Sequence, residues 1–126
     1  MRIYVNGIEV TVPLLTNTPP TTLGDTNIPM TVGAHRNVSN SLTGFLDAAV
    51  DEVRLWNDLR SETELQDNML NELVGNEANL VAYYKFDQTD AAITTLPDRS
   101  LIQNDGTLTN FGGSASWTGS VGLSVV

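Results

Sequence analysis

Asp51 and Glu52, set between Val50 and Val53, are the residues of this chain that first invite a chemical reading. Neighbouring carboxylates on a strand project to opposite faces, so these two cannot share one acid/base reaction. Retaining glycosidases hold their carboxyls about 5 Å apart and inverting ones somewhat further, and no Glu-x-Asp-x-x-Glu-like run places a pair on one face here. His35 is the only histidine, with no serine or cysteine motif beside it, so a nucleophilic triad has no parts and His35 reads as a surface loop residue. The expectation is no catalytic residue and no enzyme activity. Trp117 sits in a Gly/Ser-rich setting, less constrained than a strand aromatic, and is the candidate for stacking on a sugar ring or filling a partner's groove.

The elements that must position these residues follow from periodicity. From Val50 to Asn57, Val, Val and Leu alternate with polar residues, the pattern of a strand with one face on a core; Trp56 ends the row as a core aromatic. Arg54 faces away from Val53 and Leu55, where it can stack on or pair with neighbours across the sheet. Ser61 and Glu64 form a capping box, and Leu65, Met69 and Leu73 at four-residue spacing predict a short helix at about 62–73, with Gly75 following its last turn.

Earlier in the chain, Asn6-Gly7 between two β-rich runs predicts a hairpin over residues 2–12, because both central residues of a type I′ turn need positive φ. Residues 13–27 read as loop, Pro29 to Ala34 as a short strand, and Asn37 to Ser41 as a turn. Asn37-Val38-Ser39 also fits a glycosylation acceptor, a triplet common by chance. Leu80 to Asp87 is a strand whose core face is Leu80, Ala82, Tyr84 and Phe86. Short pieces at Ile93 to Leu96, Thr107 to Phe111 and Leu123 to Val126 complete an all-β chain of about seven or eight strands.

The totals set bounds. A chain of 126 residues, 40% hydrophobic, makes one domain at most, 1–126. A net charge of −9 argues against nucleic acid and anionic membranes as partners. With no cysteine there are neither disulfides nor thiolate metal sites. No apolar run approaches the roughly 18 residues of a membrane span, so no membrane insertion is expected. Nothing at the N-terminus resembles a signal peptide.

Three segments together resemble the laminin G-like jelly-roll family of concanavalin A-like sandwiches. Ile3-Tyr4-Val5-Asn6-Gly7 looks like its strand-turn element. Phe45-Leu46-Asp47-Ala48-Ala49-Val50-Asp51-Glu52-Val53-Arg54-Leu55-Trp56-Asn57, continued by Arg60-Ser61-Glu62-Thr63-Glu64-Leu65, looks like its central signature. Leu80 to Asp87, with Asp98-Arg99-Ser100 and Asn104-Asp105-Gly106, looks like a third element. Ala48 stands where the family usually has Gly, and Leu101-Ile102 replaces a Gly-Asn turn.

The resemblance implies an antiparallel jelly-roll β-sandwich. Residues 1–78 correspond to the back half of the family domain, and 79–126 to its closing strands or the start of a following repeat. It implies a non-catalytic binding or adhesion module, secreted or on a bacterial cell surface, whose ligand is a carbohydrate or a protein. Strands absent from the chain are then supplied by self-association or by a neighbouring repeat, which makes a structural assembly unit the alternative. The resemblance further places a structural calcium (Ca2+) at Asp51 and Asp87, since calcium takes six to eight hard oxygens. The competing reading of Asp51 is a turn cap or a partner of Arg54.

Overall fold

The computed structural model describes residues 2–10, 29–90 and 92–109. In chain order the elements are β1 (Ile3–Val5), β2 (Ile8–Val10), β3 (His35–Arg36), β4 (Leu42–Thr43), β5 (Val53–Trp56), α1 (Glu62–Asn68), β6 (Leu80–Tyr84), β7 (Thr95–Leu96) and β8 (Gly106–Thr107). The class is all-β and antiparallel with one short helix. The described strands pair as four two-stranded ribbons: β1–β2, β3–β4, β5–β6 and β7–β8.

The first ribbon is the hairpin that Asn6-Gly7 predicts. Asn6 has φ 52° and Gly7 φ 74°, the two left-handed residues that a type I′ turn demands, and Val5 pairs with Ile8 across it. His35 and Arg36, expected in a loop, form β3 against Leu42–Thr43. The expected strand at Pro29 to Ala34 is not one. The Asn37 side chain explains the shift: its Oδ1 accepts the amides of Ser39 and Ser41, both at 3.0 Å, and folds the 37–41 turn so that its flanks pair.

β5 and β6 form the central ribbon, with Arg54 opposite Tyr83 and a one-residue register shift between Leu55 and Trp56. The core of the described residues lies here: Leu80, Ala82, Tyr83 and Leu96 are buried, Tyr83 completely. Tyr83 corrects the expected core face, which held Leu80, Ala82, Tyr84 and Phe86. Both sides of β6 are covered, because the chain beyond α1 folds over the Tyr83 side. Gly75, at φ 100°, allows this; a Cβ there would lie 2.1 Å from the Arg99 carbonyl oxygen.

Helix α1 starts as its sequence dictates. The Ser61 hydroxyl accepts the Glu64 amide at 3.3 Å, and Glu64 Oε2 accepts the Ser61 amide at 2.8 Å. It ends at Asn68 rather than near residue 73. Arg54 donates to the Asn68 carbonyl at 2.6 Å and also to the Asn71 carbonyl, while Asn68 Nδ2 donates back to the Glu64 carbonyl at 2.8 Å. These side chains replace the next helical turn, and the guanidinium supplies the positive charge that the last turn of α1 lacks. Gly75 therefore serves the following loop and not a helix cap.

Asp98 closes the other side of the ribbon. Its carboxylate accepts the amides of Tyr83 and Ser100 at 2.8 Å and of Asn104 at 2.9 Å. Burial alone would push its carboxyl up; the three amides outweigh it and hold Asp98 below the ordinary aspartate value. A carboxyl lowered on folding contributes stability above its unfolded pKa, and that contribution is lost as pH falls through the folded value. Asp98→Asn should therefore cost about 1–3 kcal/mol at neutral pH and lose most of its disadvantage in acid, as read by urea melts at neutral and acid pH.

Candidate functional site

Arg54 and Trp56 of β5, with Glu52 just before the strand at φ 52°, line one side of the central ribbon, where they meet α1 and the tip of the β1–β2 hairpin. The three elements enclose a half-open cleft of about 310 Å³. Tyr4 and Gly7 line it from the hairpin, and Glu64, Leu65, Asn68 and Met69 from the helix. Gln66 Nε2 donates to the Gly7 carbonyl at 2.8 Å, which fixes the hairpin tip against α1.

The charged groups of the cleft are held by one another. Arg54 pairs with Glu52. The Tyr83 hydroxyl lies 2.9 and 2.8 Å from the two Glu52 oxygens and accepts the Leu73 amide at 3.2 Å. Burial first, then the bond to Glu52, push the Tyr83 hydroxyl pKa up. The Arg54 guanidinium also sits 5.4 Å from the centre of the Tyr83 ring. Arg60 lies 4.1 Å from the centre of the Trp56 ring and 3.2 Å from Glu64 Oε1. Trp56 is thus half-buried under a guanidinium, and not the core aromatic expected.

Glu52 and Glu64 line one cleft, a pairing that adjacency in sequence does not reveal. Neither is arranged as an acid or base. The Ser61 amide, and then the Ser61 hydroxyl, hold Glu64 below the usual carboxylate range, so it is ionised at neutral pH and has no proton to deliver. Glu52 already accepts from Arg54 and Tyr83. The cleft has a mixed wall of Trp56, Tyr4, Leu65 and Met69, with Glu52, Arg54, Arg60 and Glu64 paired among themselves at its edge.

The expected metal residues lie beyond one end of the central ribbon, since Val53 pairs with Tyr84 and the flanking Asp51 and Asp87 follow that pair outward. Asp51 Oδ1 accepts the Glu52 amide at 2.9 Å, a local cap. Asp87 pairs with Lys85 at 2.9 Å, and Lys85 also pairs with Glu72 at 2.8 Å. Among the described residues no group of three or more His, Cys, Asp or Glu gathers as a metal site. His35 Nε2 lies 3.0 Å from the Thr43 hydroxyl, across the β3–β4 ribbon. Trp117 and the strand expected at Leu123 to Val126 lie outside the described residues.

Tyr4, Arg60 and Met69 enter the cleft although none was read as a site residue. Tyr4 belongs to the hairpin, where it shares a face with Glu9, opposite the face of Ile3 and Val5. Met69 belongs to the apolar row of Leu65, Met69 and Leu73, and Arg60 carried no such signal; the docking of α1 on β5 brings both to the cleft.

Against known proteins, no curated protein and no solved structure matches the chain. A family model does: the laminin G-type model of the concanavalin A-like lectin/glucanases superfamily matches residues 1–66. That span contains the hairpin, β5 and the start of α1, which are the three walls of the cleft. Domains of this superfamily commonly mediate binding, and laminin G-like ones are generally non-catalytic. On a match over just over half its length, and with an antiparallel all-β fold, the chain belongs to the concanavalin A-like lectin/glucanases superfamily as a laminin G-like domain.

Proposed function

We propose that the chain is a non-catalytic extracellular binding or adhesion module, of a secreted or surface protein, with a carbohydrate or a protein as ligand. The observation that carries this reading is the chemistry of the cleft: aromatic and apolar side chains are presented, while Glu52 and Glu64 are committed as acceptors to Arg54, Tyr83 and Ser61. A glycan array and a protein-binding screen test it together. Trp56→Ala should weaken binding at least tenfold, as loss of an aromatic anchor does, and the bound glycan should be recovered uncut. Release of shortened glycan would contradict the reading, and retained affinity in both Trp56→Ala and Trp117→Ala would remove the two aromatic sites.

A structural calcium at Asp51 and Asp87 belongs to the same proposal. Its support is the placement of both carboxylates beyond one end of the β5–β6 ribbon. Further oxygens must come from backbone carbonyls, water or residues outside those described, and Asp87 must exchange Lys85 for the ion. Calcium titration followed by thermal melting should raise the midpoint in the native chain and not in Asp51→Asn. An unchanged midpoint removes the ion.

One observation favours an assembly role as the second reading. Ile3 and Val5 face the same way as their partners Val10 and Ile8, and all four are exposed, at 39%, 55%, 40% and 64%. A continuous β-branched face left exposed on a two-stranded hairpin is a surface for self-association. Light scattering across a concentration series should show oligomers that Val5→Lys abolishes; a strictly monomeric native chain excludes assembly.

A further inference from the structure

The hairpin tip carries a chemistry that binding does not use. Asn6-Gly7 is the only Asn-Gly pair in the chain. Its second residue has no side chain to hinder attack by its own amide nitrogen. Val5 and Ile8 close the turn, so the Gly7 amide lies outside the strand ladder, and Asn6 is exposed. Other asparagines are differently placed. The side chains of Asn37, Asn68, Asn71 and Asn79 are held in hydrogen bonds, and each precedes a residue larger than glycine.

We propose that Asn6 is a site of spontaneous covalent modification, at a rate set by how often the hairpin tip lifts from α1. The Gly7 nitrogen attacks Asn6 Cγ; the new N–C bond closes a five-membered succinimide, the Cγ–Nδ2 bond breaks, and ammonia leaves with the proton from the Gly7 amide. Water then adds at one of the two ring carbonyls, leaving aspartate or isoaspartate. No oxidant or reductant takes part.

Ring closure needs rotation about the Asn6 backbone, which the closed left-handed turn holds fixed, so the reaction passes through the opened hairpin. The hairpin has three residue pairs, and an isolated two-stranded ribbon is marginal in water. What closes it is the dock on α1. Gln66 Nε2 holds the Gly7 carbonyl, and a Cβ on Gly7 would lie 2.8 Å from Gln66 Cγ and 3.1 Å from Met69 Sδ.

The product does not return to the dock. The extra backbone methylene of isoaspartate spoils the two-residue register of the turn, and with it the placement of the Gly7 carbonyl on Gln66 Nε2. Tyr4 then leaves the wall of the cleft with the hairpin.

Ageing the full chain in mildly alkaline buffer, with peptide mapping by mass spectrometry and an isoaspartate assay, tests this. The peptide carrying Asn6 should gain one mass unit ahead of every other asparagine. Gln66→Ala should raise its rate several-fold while leaving the rate at Asn104 unchanged, and Asn6→Gln should abolish the early product. Modification of another asparagine first, or a rate at Asn6 indifferent to Gln66→Ala, would overturn the proposal.

Discussion

The described fold turns on where one guanidinium goes. Arg54 lies on the central ribbon opposite Tyr83 and is largely buried, so its charge must be met inside the structure. Glu52 meets it from just before the same strand, and the carbonyls of Asn68 and Asn71 meet it from the end of α1 and the turn after it. The helix ends where the guanidinium meets those carbonyls. The chain beyond it then crosses the Tyr83 ring, and the Tyr83 hydroxyl ties Leu73 to Glu52. Strand, helix end and loop are thus one electrostatic unit.

That unit shapes the cleft and limits its chemistry. Glu52, Arg54 and Trp56 form the floor, and α1 is tied over them by the bonds from Arg54 to its end. The same bonds that build the walls engage the Glu52 and Glu64 carboxylates. Asp98 does the equivalent work on the far side of β6, binding three amides in a loop that periodicity could not place.

Much of this was legible in the residues, and what was missed has a common cause. The Asn6-Gly7 hairpin, the Ser61/Glu64 capping box and the strands at Val53 and Leu80 are local: each needs only neighbours within a few positions, and each is present, although the strands read as Val50 to Asn57 and Leu80 to Asp87 shorten to Val53–Trp56 and Leu80–Tyr84. The helix end was not legible. Leu65, Met69 and Leu73 continue the apolar period past Asn68, and the group that stops the helix comes from a strand 14 residues earlier. The Tyr83 side of β6 was misassigned for the same reason, since its cover is a loop with no pattern of its own. Pro29 to Ala34 has strand composition but pairs with no strand among the described residues, whereas His35 and Arg36 have a partner, given by the Asn37 turn.

A double-mutant cycle on Arg54→Met and Tyr83→Phe, with stability read by chemical denaturation, tests the central claim most directly. If Arg54, Glu52 and Tyr83 act as one unit, the two losses are non-additive, with a coupling of about 1 kcal/mol or more. Losses that add to within about 0.3–0.5 kcal/mol would show independent contacts and contradict the account.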